Sequence, residues 1–176
     1  TDLSWTHPYG AEVCLKSLVK TERAWSRGCE RLDAIPSPGA RDPYVAGRLD
    51  AHQALARGIR CILRTAIHTI RFLDTRDTYF REPSNLALAR KRLTAMREIA
   101  KLEIANAEEG LRCMQRNIQL GIDYANRAGF SEAMVRCKLA HTRRLVDWTL
   151  PYQMFLHSTS ECGRDEWIRD DGGKWR

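Results

Sequence analysis

The sequence predicts an all-α protein that folds as an antiparallel bundle of about four helices, the second, third and fourth of them long. Apolar residues recur three or four positions apart along most of the chain, as expected for helices with one buried face. Clusters of proline and glycine interrupt this pattern, and no strand-like alternation, hairpin turn or internal repeat stands out. Helices joined by short loops pack as an antiparallel bundle.

The first helix is predicted over residues 8–34. Pro8 suits a first helical turn because proline has no N–H to lose there, and the prolines and glycine of residues 35–39 end the helix. Its predicted inward face consists of Ala11, Cys14, Leu15, Leu18, Trp25, Cys29 and Leu32.

The second helix is predicted to begin at Asp42 and Pro43 and to run to about Tyr79. Asp is a good N-cap, and Pro is favoured at the first helical position. Its predicted buried side consists of Leu55, Ile59, Ile62, Leu63, Ala66, Ile70 and Leu73. Four arginines are predicted to point outward from this helix: Arg57, Arg60, Arg64 and Arg71.

The third helix is predicted to open at residues 83–85 and to continue to Arg127, with bends at Gly110 and Gly121. An unbroken helix of this length would extend roughly 65 Å at 1.5 Å per residue. Its predicted inward face consists of Leu93, Met96, Ala100, Ile104, Ala107, Leu111, Met114, Ile118, Gly121 and Ala125.

The fourth helix is predicted to follow a stop at Gly129, with Ser131 as its N-cap and Pro151 kinking or ending it. Residues 1–157 would then form the helical bundle domain, and residues 158–176 an irregular tail docked by Trp167 and Trp175. The predicted inward face of the helix consists of Phe130, Met134, Cys137, His141, Leu145, Trp148 and Tyr152.

The composition is that of one soluble globular domain. Of the 176 residues, 43% are hydrophobic and 29% are charged, and no apolar run approaches the ~20 residues that a membrane span needs. The six cysteines lack the dense spacing of a disulfide-stapled secreted domain, which favours reduced thiols and a cytoplasmic location. Residues 1–8 show neither a signal-peptide pattern nor an initiator Met, and we expect the chain to be a piece of a longer protein.

No residue is predicted to be catalytic, to bind a cofactor or to ligate a metal. Cys137 and His141 lie four apart on one helix and would reach the same metal ion, but two ligands do not make a site and no zinc motif accompanies them. No nucleophile elbow or phosphate-binding glycine loop is present. The acids of the third helix, which would be needed as paired catalytic carboxylates, are interpreted as ordinary partners of nearby Lys101, Arg97 and Arg112. These acids are Glu98, Glu103, Glu108 and Glu109.

The net charge of +7 comes mainly from arginine and raises the alternative of nucleic-acid binding. The row Arg57, Arg60, Arg64 and Arg71 has the spacing of one helix side and would follow a phosphate backbone. No aromatic residues for base stacking are interleaved with it, and basic residues are scattered over every helix. Nucleic acid is therefore the third and least favoured partner.

Four segments carry a resemblance to a known family. They are residues 65–77, the Glu-Ile-Ala-x-Ala motif of residues 103–107, the Leu-Gly turn of residues 117–121 and the Met-Val-x-x-Lys-Leu motif of residues 134–139. Together they resemble the C-terminal helical region of large bacterial glycoside hydrolase-like proteins of the α-glucuronidase-like and β-hexosaminidase-like kinds. Asn117 and Gln119 depart from the Asp and Arg that are usual in the family.

The resemblance implies a non-catalytic accessory domain that packs on a catalytic (β/α) barrel absent from this chain. The catalytic groups of such enzymes lie in that barrel, so the resemblance carries no catalytic residue onto this chain, and carbohydrate would be met only through the parent enzyme. The alternative is a freestanding helical-bundle adaptor or sensor that binds a protein partner through an exposed seam.

Overall fold

The computed structural model describes residues 3–81, 85–117 and 131–167, with no account of the side chains of residue 40 and residues 159–167. Within these ranges it is helical and contains no strand. The helices are α1 (Ala11–Asp33), α2 (Pro43–Arg81), α3 (Leu86–Arg116), α4 (Glu132–Arg144) and α5 (Leu150–Trp167). A π-helical turn, Leu145–Thr149, joins α4 to α5 without a break, so the described residues form four continuous helices, and the predicted all-α bundle is confirmed.

The helices alternate in direction, with α2 and α3 as the central pair. Asn117 at the end of α3 donates to the carbonyl of Ala51 near the start of α2, whereas Arg92 near the start of α3 donates to the carbonyl of Thr78 near the end of α2. The first helix packs mainly on α2, and α4 and α5 pack mainly on α3. The polypeptide thus forms an up-down-up-down arrangement around the α2–α3 pair.

Side-chain caps start three of the helices. The Asp42 carboxylate accepts a hydrogen bond from the backbone N–H of Val45 at 3.0 Å, as predicted. The Asn85 side chain caps α3 and the Ser131 hydroxyl caps α4 in the same way. The first helix begins later than predicted because Gly10 has a φ of +81°, in the left-handed region, which confines Pro8 to the turn before the helix.

The third helix ends at Arg116, earlier than the predicted Arg127. Asn117 leaves the helix with extended backbone angles, and its side-chain amide donates to the Ala51 carbonyl at 3.0 Å. An asparagine side chain that bonds outside its own helix competes with helix continuation. Gly110 lies within α3 and is buried, whereas the predicted bend at Gly121 and stop at Gly129 lie outside the described residues.

Pro151 does not end the last helix. Proline has no N–H to donate to the carbonyl four residues before it, and the wider π turn lies directly before this position. The helix continues as α5 to Trp167, so the irregular tail predicted for residues 158–176 does not begin at Ser158. Residues 168–176, which include Trp175, lie outside the described part of the chain.

The predicted core face of α3 is confirmed over its described length. Leu93, Met96, Ala100, Ala107 and Met114 are buried. Two clusters contain four of them: Ala107 and Met114 pack with Val135 and Leu139 of α4, and Leu93 and Met96 pack with Leu150 of α5. The final positions predicted for this face, Ile118, Gly121 and Ala125, are not among the described residues.

The buried side of α2 differs from the prediction. Ile70 and Leu73 are buried as expected, but Leu55 and Ile62 are exposed. Several of the positions that α2 buries instead hold small residues. Small side chains let a neighbouring helix approach closely, and a hydropathy pattern does not identify them as buried. The buried positions of α2 are Ala54, Gly58, Cys61, Ile67, Ile70 and Leu73.

Candidate functional site

The last helix exposes the apolar face that the sequence predicts to be its core. We call Met134, Cys137, His141, Trp148 and Tyr152 the outer stripe. All five residues are exposed, with exposed fractions of 58% for Met134, 74% for Trp148 and 59% for Tyr152. The prediction that they face inward was therefore wrong.

A second apolar row on the same helix forms the real core contact. Val135, Leu139 and Leu150 pack in core clusters with residues of α3, and Val146 is buried as well. Of the predicted face, Leu145 alone among the described positions packs partly into this core. Two apolar rows offset by one or two residues have the same period, so periodicity finds the helix but not which row is buried.

The outer stripe has the composition of a protein-binding surface. Arg144 lies between His141 and Trp148 on the same side and is exposed. Phe155, three residues after Tyr152, is exposed as well and extends the stripe along α5. Trp, Tyr and Arg are the residue types most enriched among side chains that dominate protein–protein binding energies.

Cys137 and His141 do come together on the outer stripe. The Nδ1 atom of His141 lies 3.5 Å from the Cys137 sulfur and 2.8 Å from the Cys137 carbonyl oxygen. Over the ranges that the structure describes, no group of three potential metal ligands is found. The pair therefore belongs to the exposed surface of α4, and the interpretation of both residues as core positions was wrong.

A buried carboxylate joins three helices at Glu103, for which helical spacing predicts only ordinary partners on its own helix. Thr65 donates to Glu103 Oε1 at 2.7 Å, and His68 Nδ1 donates to Oε2 at 2.5 Å. Lys138 of α4 also donates to Oε1. Asn106 completes this set, which we call the Glu103 cluster, by donating to Thr65 and to the Cys61 carbonyl.

The electrostatics of the Glu103 cluster favour the ionised carboxylate. Burial acts to raise the pKa of Glu103, but the hydrogen bonds from His68, Lys138 and Thr65 outweigh it, so the pKa lies below its ordinary value. Both carboxylate oxygens already accept hydrogen bonds. The geometry therefore suits a structural junction and not a general acid or base. A polar position inside an apolar helix face was the only sequence signal for it.

The other acids of α3 also reach beyond their own helix, with one exception. Glu98 pairs with Lys101 at 2.7 Å, as predicted. Glu108 instead accepts from Arg143 of α4, and Glu109 accepts from Arg60 of α2. Neither of these two contacts between helices was predicted, because helical spacing identifies partners within one helix only.

Three of the four arginines predicted to point outward from α2 lie between helices. Arg57 pairs with Asp33 of α1 at 2.9 Å, and Arg64 pairs with Glu22 of α1 at 2.8 Å. Arg60 turns to the other side and pairs with α3 at 2.6 Å. Their charges are thus partly neutralised within the fold, and only Arg71 is exposed as predicted.

Two buried thiols meet across α2 and α3. The hydrogen bond from Cys61 to Cys113, together with burial, raises the pKa of Cys61, and the same hydrogen bond lowers the pKa of Cys113. Cys14, Cys29 and Cys137 are free as well, so the five described cysteines make no disulfide. The side chain of Cys162 is not among those that the structure describes.

The comparisons with protein-family models, with curated proteins and with solved structures returned no match. In the described parts of the chain, no helix combines the length and the hydropathy needed to cross a membrane. Of the four segments that resemble glycoside hydrolase-like proteins, three contribute to the Glu103 cluster: residues 65–77, 103–107 and 134–139. In the fourth segment, Asn117 alone is described.

Proposed function

We propose that this chain is a non-catalytic helical domain that docks on another protein through the outer stripe. The observation that carries the proposal is the exposure of Trp148 and Tyr152, with Met134, at helical spacing on one face. A helix with apolar residues on both faces is normally buried on both. Among the described residues, α3 covers one face of this helix and leaves the outer stripe exposed, so the outer face is suited to a partner.

The side chains of the stripe indicate the chemistry of that partner. Anchors at spacings of three, four and seven residues fit an apolar groove in the way that an amphipathic helix does. Arg144 among these anchors calls for a carboxylate on the partner, because a guanidinium in a desolvated contact needs an ionic partner. The proposed partner is therefore a folded domain with an apolar groove and an acidic residue at its edge.

A photocrosslinking experiment tests the proposal in the full-length protein in its own cells. A photoreactive phenylalanine analogue replaces Trp148, and in a matched control it replaces Tyr44, an exposed aromatic residue on α2. We expect a specific crosslink from position 148 that Tyr152→Ala and Arg144→Glu each reduce at least tenfold. A crosslink of equal yield from position 44 would contradict the proposal, and so would a crosslink from position 148 whose yield neither variant reduces.

Dye binding tests the stripe on the isolated chain. The Trp148→Ala/Tyr152→Ala variant should lose at least half of the fluorescence enhancement of an anilinonaphthalene dye, while Tyr44→Ala keeps it. Circular dichroism should show unchanged helix content in both variants. If the double variant binds the dye as the unchanged chain does, the outer stripe is not an accessible apolar surface.

We further propose, from the resemblance, that the partner is the catalytic barrel of a glycoside hydrolase-like protein in the same polypeptide. The specific support is the Glu103 cluster, in which three of the four resembling segments form one structural unit. The free thiols support a cytoplasmic location for either form of the proposal.

The reading frame and an activity assay test this second proposal. An upstream frame that is continuous with Thr1 and encodes a barrel domain is expected, and the whole protein should hydrolyse aryl glycosides or uronides. The isolated chain should show no such activity above a heat-killed control. A start codon directly before Thr1 would instead favour the freestanding adaptor.

A further inference from the structure

A strongly basic groove lies between α1 and α2, away from the outer stripe. Its cavity of about 460 Å³ is lined by five cationic side chains, and none of its lining residues is acidic. Leu15 and Val19 supply its apolar lining. The cations, which we call the basic groove residues, are Lys16, Lys20, Arg23 and Arg27 of α1 and Arg71 of α2.

The groove cations of α1 form a continuous row. Their spacings of four, three and four residues place them on one side of the helix, over roughly 16 Å at 1.5 Å per residue. Arg71 faces this row from α2. The groove therefore presents positive charge along a line and from two walls.

Four of the five groove cations have no carboxylate partner among the described residues. Lys16 pairs with Glu12 in an exposed contact at 2.7 Å. Within the described ranges, Lys20, Arg23, Arg27 and Arg71 form no ion pair. The arginines elsewhere on α2 behave differently, since Arg57, Arg60 and Arg64 all have carboxylate partners.

Such a row costs folding free energy. Like charges three or four residues apart on a helix repel each other and destabilise the helix. The row contains several such pairs, and Glu12 and Asp74 lie in the adjoining cavity at one end of the groove. An anion of extended shape would remove the repulsion along the whole row at once.

We propose that the basic groove binds the phosphodiester backbone of single-stranded nucleic acid without sequence preference. Successive phosphates along a strand match a linear row of cations, and Arg is well suited to phosphate oxygens. The groove lining contains no aromatic side chain on which bases would stack, so the contacts are to the backbone. A concave site between two helices admits a slender strand.

Binding of an oligothymidylate 20-mer, followed by fluorescence anisotropy across a salt series, tests the proposal. If the four cations without an ion pair each neutralise one phosphate, the slope of log K against log salt is about −3 for a single strand. Inorganic polyphosphate of similar length and anionic phospholipid vesicles serve as comparison ligands.

The variant Arg23→Gln/Arg27→Gln/Arg71→Gln should bring the slope to about −1 and weaken binding at low salt at least tenfold. The matched control Arg41→Gln/Arg48→Gln/Lys91→Gln removes the same net charge from exposed positions outside the groove. It should bind as the unchanged chain does. Because the side chains at all six substituted positions are exposed, circular dichroism should confirm an intact fold in both variants.

Three outcomes would overturn the proposal. Equal losses in the groove variant and the control would show attraction by net charge alone. Binding of polyphosphate or vesicles without binding of the oligonucleotide would assign the groove to another phosphate source. Absence of oligonucleotide binding at 20 mM salt would show that the groove does not bind single-stranded nucleic acid. None of these outcomes affects the outer stripe, which the proposed docking function uses.

Discussion

Glu103 shows how one buried carboxylate makes stability depend on pH. Its pKa in the folded protein lies below the ordinary value, which applies to the unfolded chain. The unfolded state therefore binds the proton more readily, and the stabilisation from Glu103 is present above the unfolded pKa of about 4.5. As the pH falls through the lowered pKa of the folded state, that stabilisation is lost.

We expect Glu103→Gln to reduce the free energy of unfolding at pH 7 by about 2–3 kcal/mol. Removing one partner of a buried pair usually costs about 3–5 kcal/mol, and because Lys138 is partly exposed we expect a loss at or below the lower end of that range. Urea unfolding at pH 7 and at pH 3.5 measures the effect. The difference between variant and unchanged chain should shrink at the lower pH.

The matched control for this variant is Glu98→Gln. The Glu98 side chain is 58% exposed and pairs with Lys101 within one helix, so its loss should change stability by less than about 0.5 kcal/mol. Equal effects of the two substitutions at pH 7 would contradict the structural role assigned to the Glu103 cluster.

At the scale of single elements, the cap of α4 is a separable contribution. The Ser131 hydroxyl accepts from the backbone N–H of Met134 at 3.2 Å. We expect Ser131→Ala to cost about 1 kcal/mol, seen as a lower urea midpoint with an unchanged slope. Ser17→Ala within α1 has no capping role and should be neutral or slightly stabilising. A neutral Ser131→Ala would mean that the cap does not hold this end of the helix.

The choice of face on the last helix also has a direct test. We expect Leu139→Ala to cost about 2–5 kcal/mol because it empties a core position, whereas Met134→Ala on the outer stripe should cost under about 0.5 kcal/mol. Denaturant unfolding of the two variants measures the difference. If Met134→Ala cost more stability than Leu139→Ala, the outer stripe would face the core, as the sequence predicts.

Periodicity predicts the elements of this protein better than their orientation. The starts at Asp42 and Ser131 follow from local cap chemistry, which the sequence displays directly. The end of α3 depends on a contact between Asn117 and the Ala51 carbonyl, two positions far apart in the chain. Which row of the last helix is buried likewise depends on its packing against α3, so the local sequence of that helix does not determine it.

The candidate sites were the hardest part to predict, for the same reason. Helical spacing assigned Glu103 and Glu109 to neighbours on their own helix, yet their partners lie on α2 and α4. The basic groove arises from two helices, and its row on α1 resembles a solvated face until Arg71 is placed opposite to it. Only the packed molecule distinguishes paired arginines from unpaired ones.

At the scale of the whole molecule, cysteine accessibility reports on folding. Cys29, Cys61 and Cys113 are buried, whereas Cys137 is exposed. We expect iodoacetamide to modify Cys137 before the three buried thiols under native conditions, and to modify those three only when the helices separate. Mass spectrometry of timed samples, with a urea-unfolded sample as the control, measures the order. Modification of Cys61 at the rate of Cys137 in native buffer would contradict the central packing.

The small side chains between α2 and α3 do little to fix how far one helix is shifted along the other. Other groups must set this register. The small buried residues Ala54, Gly58 and Cys61 lie one turn apart on α2, so over this stretch a slip of one turn would replace one small residue by another. The hydrogen bonds from Asn106 to the Cys61 carbonyl and from Thr65 to Glu103 exist at one alignment only. A slipped pair would bury a carboxylate without its donors. These bonds therefore fix the register of the helical hairpin, as a buried asparagine does in a coiled coil.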